Sequence, residues 1–119
     1  AALMGRPDLG LTGPIDVDLT IDRKDPDAYV VSLDHGGLGM PNREYYLGDA
    51  AAFVQFRKDY EAHLARVLAM AGEADPQDAA RAVLALETGI AERHWPAAKR
   101  RERDLTYNPR SRAELEALA

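Results

Sequence analysis

Gly36-Gly37-Leu38-Gly39-Met40-Pro41-Asn42-Arg43-Glu44-Tyr45-Tyr46-Leu47 divides this chain into two regimes of hydrophobic spacing. Upstream, Ile15, Val17, Leu19 and Ile21 alternate with Asp16, Asp18 and Thr20, the period of two that marks a half-buried strand. Asp22 to Asp27, with Pro26 inside, has turn chemistry, and Tyr29-Val30-Val31-Ser32-Leu33 is a second β-rich run. The spacing therefore predicts a β-hairpin over 15–34. A lone two-stranded hairpin is marginal in water, so its apolar face is expected to pack on helices.

Downstream of the glycines the period changes. Asn42 can cap a short helical turn holding Arg43 to Leu47. Phe53, Phe56, Tyr60, Leu64, Val67, Leu68 and Ala71 then recur at steps of three and four, a long amphipathic helix with Gly72 as its stop. Asp75-Pro76 is a cap followed by proline at the first helical position, and Val83, Leu86, Ile90 and Ala91 form the apolar stripe of the next helix, which Pro96 ends. Ser111 with Glu114 is a capping box ahead of a last helix. The expected fold is mainly α: antiparallel helices over 42–119, one amino-terminal β-hairpin, and an irregular lead-in over 1–14 where three glycines and two prolines fall. Both ends read as cut, so 1–119 is expected to be a single partial domain, an excerpt of a larger protein.

Composition narrows the functions. With 119 residues, 46% hydrophobic and 29% charged, the chain suits a soluble domain with a modest core. A net charge of −5 argues against nucleic acid, which selects a concentrated basic surface. There is no cysteine, which excludes disulfides and thiolate-bound zinc. No apolar run reaches the ~20 residues that span a bilayer, and Ala1 to Pro7 do not read as a signal peptide.

Chemistry-bearing motifs are sparse. His35, His63 and His94 do not have the H-E-x-x-H spacing that puts two imidazoles on one helix face, so neither catalytic nor metal-ligating residues are assigned. Gly36-Gly37-Leu38-Gly39 lacks the Lys-Ser/Thr of a phosphate-binding loop and runs into Pro41, so the glycines read as backbone freedom. The aspartates of the hairpin lack a calcium-loop spacing. Lys99 to Asp104 mixes bases with acids and reads as a solvated connection or as partners for helix carboxylates. Glu87 lies among Val83, Leu84, Ile90 and Ala91 on the stripe expected to be buried, where a carboxylate needs a partner. A structural ion pair of Glu87 with Arg43, Arg100 or Arg101 is the expectation. Of Tyr45 and Tyr46, adjacent on one turn, one is expected in the core with its hydroxyl bonded, and Trp95 is expected to pack rather than bind a ligand.

The quoted loop resembles a stretch in the amino-terminal half of the neprilysin-type zinc metallopeptidases, where Gly-Leu-x-x-Pro-x-Arg-Asp-Tyr-Tyr-Leu recurs. Glu44 stands where that family more often has Asp. A second run is similar too: Leu84-Ala85-Leu86-Glu87 with Ile90-Ala91, Arg100-Arg101, Leu105-Thr106-Tyr107-Asn108 and Ala113-Glu114-Leu115. The likeness covers Ile15 to Ala119. Gly36, Gly37, Pro41, Tyr45 and Tyr46 are its structural motif. The resemblance implies a zinc endopeptidase or oligopeptidase acting on short peptides, with zinc held by another lobe of the same polypeptide and no cofactor in this chain. It implies a non-catalytic helical segment, inactive alone, that shapes and restricts the substrate chamber, with the catalytic lobe and short peptides as partners. The alternative is a stand-alone helical interaction module without peptidase activity. Family members occur as membrane-anchored, exported and cytoplasmic enzymes, and the Ala- and Arg-rich composition leans toward an exported, periplasmic bacterial protein, with a cytoplasmic one as the other option.

Overall fold

A computed structural model describes residues 13–118, so the lead-in expected over 1–14 falls almost wholly outside the described residues. Strands β1 (Ile15–Ile21) and β2 (Tyr29–His35) pair antiparallel, with Ile15 opposite His35, Val17 opposite Leu33, Leu19 opposite Val31 and Ile21 opposite Tyr29. The connection is built from aspartates. Asp22 Oδ1 accepts the Lys24 amide at 2.8 Å and Asp25 Oδ1 the Asp27 amide at 3.2 Å, the local bonding that suits short acidic side chains to turns.

Five helices follow: α1 (Glu44–Leu47), α2 (Ala51–Met70), α3 (Pro76–Arg93), α4 (Ala97–Arg100) and α5 (Arg112–Glu116). The fold is thus mainly α with one amino-terminal hairpin. Helix α2 ends where Gly72 takes φ 87°, with the Glu73 amide bonded to Leu68 O at 3.0 Å and the Gly72 amide to Ala69 O at 3.1 Å. That double closure requires a left-handed residue after the last helical turn, which only glycine adopts without strain. Asp75 accepts from the Asp78 amide and Pro76 opens α3. Ser111 and Glu114 form the reciprocal capping box at α5.

Helices α2 and α3, joined by a short turn, pack along each other, and both touch α1. The core sits where the glycine loop meets these three helices: Met40, Tyr46 and Ala91 are buried, with Leu38, Tyr45, Leu47, Tyr60 and Leu84 against them. It is thin. The most enclosed positions of α2 and α3 are alanines, Ala65, Ala80 and Ala91, and Leu86, expected in the buried stripe, is exposed. Small side chains let two helices approach closely, and the larger ones then flank the seam. The radius of gyration, 17.3 Å, exceeds the roughly 13.5 Å of a compact domain of this length.

The hairpin departs from expectation most clearly. Ile15, Val17, Leu19, Ile21, Tyr29, Val31 and Leu33 share one face by register, and all are 49% to 71% exposed. No helix among the described residues covers them. It is the opposite face, with Val30 and Ser32 half-buried, that turns toward the carboxy-terminal segment. Arg23 Nη2 donates to Thr106 O at 2.6 Å, Tyr107 Oη donates to Asp22 at 3.0 Å, and Arg100 Nη2 donates to Asp34 Oδ2 at 3.1 Å. These polar ties fix the hairpin with its apolar side outward.

Candidate functional site

Glu87 is the hub of the inter-element contacts. It projects from α3 between the glycine loop and α2, and it is partly buried. Tyr46 Oη donates to Glu87 Oε2 at 2.7 Å, and Tyr60 Oη donates to Glu87 Oε1 at 3.1 Å. Tyr46 Oη in turn accepts the Met40 amide at 2.8 Å. One carboxylate therefore ties α1, α2, α3 and the loop together. Burial, reinforced by the Glu87 charge, holds the Tyr46 phenol well above its usual range and pushes that of Tyr60 up to about 12. Both phenols stay protonated donors near neutrality, a structural knot rather than an acid–base pair.

The arginines expected beside Glu87 are engaged elsewhere. Arg43 Nε donates to Ala91 O at 3.3 Å and Arg43 Nη1 pairs with Glu44 at 3.3 Å. Arg100 pairs with Asp34 on the hairpin, and Arg101 is exposed at the end of α4. The Glu87 oxygens are satisfied by hydroxyl donors instead, and the docking role falls to the tyrosines. Tyr46 is the buried member of its pair, while Tyr45 meets Phe53 edge-on and Phe56 at a tilt, each ring centroid 5.3 Å away. Arg57, which the spacing had not singled out, clamps the end of α1 by donating to Tyr45 O at 3.0 Å and Gly48 O at 2.9 Å. Its place four residues after Phe53, on the α2 face toward Tyr45, was the available signal.

A cleft of about 230 Å³ lies between the glycine loop and the end of α3, bordered by His35, Pro41, Arg43, His94, Trp95 and Arg100. His35 and His94 meet ring to ring there, centroids 3.8 Å apart and planes inclined by 35°. His94 is buried with Nε2 3.1 Å from Gly36 O, so that nitrogen carries the proton. Gly37, with φ 78°, makes the turn that brings Gly36 to it, and a Cβ there would come within 2.9 Å of Pro14 Cα. Trp95 packs at the rim under Lys99, whose Nζ is 4.0 Å from the ring centroid. His63 is exposed on α2. Among the described residues no three metal-ligating side chains converge, and the stacked histidines do not fit a zinc centre. No helix among them is long and apolar enough to cross a membrane.

The histidine pair sets an acid limit on stability. Burial first, then neighbouring His35, lowers the His94 pKa, against the opposing pull of Gly36 O. A depressed folded-state pKa gives stability that is present above the ordinary value of 6.5 and lost as pH falls through the folded value. The melting temperature is expected to fall between pH 7 and 5, before most carboxylates titrate, and His94→Gln should flatten that slope. An equal slope in His94→Gln would remove His94 as the cause.

These features can be set beside known proteins. The amino-terminal family model of peptidase family M13 matches residues 1–119. Bovine and human endothelin-converting enzyme 1 are each 30% identical over 105 residues, which is 87% of this chain and 14% of theirs. The crystal structure of Mycobacterium tuberculosis zinc metalloprotease Zmp1 with an inhibitor superposes with a TM-score of 0.82 at 33% identity, over 98% of this chain and 18% of that one. The open state of the same enzyme gives 0.75 at 35% identity, over 89% and 17%. The fold is that of the amino-terminal region of neprilysin-type zinc metallopeptidases. The chain belongs to peptidase family M13. It spans about one seventh of the curated relatives it matches.

Proposed function

We propose that this chain is the non-catalytic helical segment of a zinc-dependent endopeptidase or oligopeptidase, where it walls the chamber that admits short peptides and supports the catalytic lobe of the same polypeptide. The observation that carries this reading is the match along the whole chain to a zinc metalloprotease of which it covers 18%. The site agrees in kind: Glu87 and its two tyrosines are committed to holding elements together. Zinc, in this reading, is bound outside these 119 residues, and its chemistry there is activation of a water for attack on a peptide carbonyl. The composition and the likeness to a mycobacterial enzyme agree with a bacterial source, and an exported protein is proposed ahead of a cytoplasmic one.

The test compares the full-length polypeptide with residues 1–119 on a quenched fluorescent peptide series. The full-length protein should cleave short peptides, lose activity to a chelator and regain it with zinc, and cleave long or folded substrates poorly. The 119-residue chain should cleave none. Zinc-dependent turnover by the short chain would overturn the non-catalytic reading. A full-length protein inert with zinc present would favour the second reading, an interaction module, which the uncovered hairpin face supports.

A further inference from the structure

We infer that the outward apolar face of the hairpin is an interface for an apolar element of the same polypeptide that lies outside these 119 residues, an inference that rests on the reading of the chain as one segment of a larger peptidase. A two-stranded sheet that folded only for itself would turn its apolar side to the helices and its polar side to water. Here the apolar side faces away from the helices, and the opposite side is tied to the carboxy-terminal segment by polar contacts. Val17, Leu19, Val31 and Leu33 form the centre of the exposed face, with Ile21 and Tyr29 extending it toward the turn and Ile15 at the other end. No charged residue interrupts it between those ends, so its complement is apolar.

The orientation is built in, because the other face is tied down at several points. Asp34 holds Arg100, Arg23 reaches both the hydroxyl and the carbonyl of Thr106, and Tyr107 bonds Asp22 with Lys24 Nζ 4.5 Å from its ring centroid. Rotating the face inward would break all of these for no polar replacement. Helices α2 and α3 cannot close over it either, since their mutual seam and the Glu87 knot already fix them.

The occupant follows from chain length. The arrangement recurs, at TM-score 0.82, inside a zinc metalloprotease of which this chain covers 18%, so on the reading of this chain as one segment of such an enzyme any element of the polypeptide that meets the hairpin is tethered to it. Tethering gives an effective concentration on the order of millimolar, well above what a second copy would supply at ordinary protein concentrations. Asp16 and Asp18 on β1 also oppose strand-to-strand pairing between copies, because charge on an edge strand blocks such addition.

Side-chain footprinting of the full-length polypeptide with a carbene reagent tests this, read by mass spectrometry beside sedimentation velocity. The expected result is labelling of Ile15–Ile21 and Tyr29–Leu33 as low as that of buried Tyr46, in a monomer, at every protein concentration. Labelling as strong as that of exposed Met70 would overturn it. So would protection that appears only as a dimer forms, because the occupant would then be a second copy. The double variant Val17→Thr and Val31→Thr keeps β-branched shape and should raise labelling and lower the full-length melting temperature by several degrees. An unchanged melting temperature and footprint count against the interface. Peptide cleavage is scored separately: protection without zinc-dependent cleavage keeps the interface and discards the peptidase reading, and cleavage with a fully labelled face does the opposite.

Discussion

Replacing Glu87 with alanine is expected to destabilise the fold by about 2–4 kcal/mol, since hydrogen bonds to a charged group each contribute ~1.5–3 kcal/mol and the partial exposure of the cluster discounts their sum. The loss is not one contact. Tyr46 Oη keeps the Met40 amide as its donor but has nothing to receive its own proton, and Tyr60 Oη loses its acceptor at 3.1 Å. Both hydroxyls are then left without an acceptor. Glu87→Gln preserves the shape and one carbonyl acceptor, yet presents an amide N–H to the second phenol, so a smaller cost of about 1–2 kcal/mol is expected. Urea unfolding read by fluorescence should therefore rank the midpoints wild type, Glu87→Gln, Glu87→Ala. A cycle of Tyr46→Phe with Glu87→Gln should show coupling, because the two removals overlap in a single 2.7 Å bond. Equal midpoints for wild type and both Glu87 variants would dismiss the knot as a support of the fold. Coupling of Glu87 to Arg43 instead of Tyr46 would restore the ion pair that the sequence suggests.

What could be read in advance follows the range of the interactions. Alternation from Ile15 to Ile21, the cap at Asp75-Pro76 and the Ser111–Glu114 box are local, and each settles its element within a few residues. Glu87 could be flagged as a carboxylate in need of a partner for the same reason: its neighbours on one helical face are all within four residues. The identity of that partner is another matter. Whether Tyr60 or an arginine reaches Glu87 depends on how far α2 slides along α3, and no local pattern encodes that offset. Arg43 is one of the three arginines the sequence offers, but its place at the amino-terminal end of α1 aims its guanidinium at Ala91 O and Glu44. The hairpin forms as expected, and only the packing of its apolar face differs, for another reason. Its amphipathic pattern correctly marks a face to be buried, and only the Arg100, Thr106 and Tyr107 ties determine that this face points away from the helices. Periodicity tells which residues share a side; long-range polar contacts tell which side faces in.

Gly39→Ala should be the most damaging change in the glycine loop, and the reason is space rather than backbone conformation. A Cβ at Gly39 would fall inside the Tyr60 hydroxyl, 2.9 Å from Tyr60 Cζ and 3.2 Å from Glu87 Oε1. The phenol cannot retreat freely, since its position is set by its bond to Glu87 and by the α2–α3 seam. Either the loop lifts, pulling the Met40 amide from Tyr46, or Tyr60 swings off the carboxylate. Both routes damage the knot, and a cost of about 2–3 kcal/mol is expected for such overpacking combined with a lost charged hydrogen bond. Thermal or urea unfolding of Gly39→Ala, Tyr60→Phe and the pair tests the clash. The double variant should cost less than the sum of the singles, because phenylalanine has no hydroxyl in the way, although the ring carbon at 2.9 Å keeps the relief incomplete. Strict additivity would mean that the Tyr60 hydroxyl is not the source of the penalty. Gly37→Ala is the internal contrast: its penalty comes from φ 78° and the Pro14 backbone, so Tyr60→Phe should leave it unchanged. A loop in which one glycine answers to Tyr60 and the next-but-one does not would show that its glycines serve two separate physical requirements, close approach at Gly39 and a left-handed turn at Gly37.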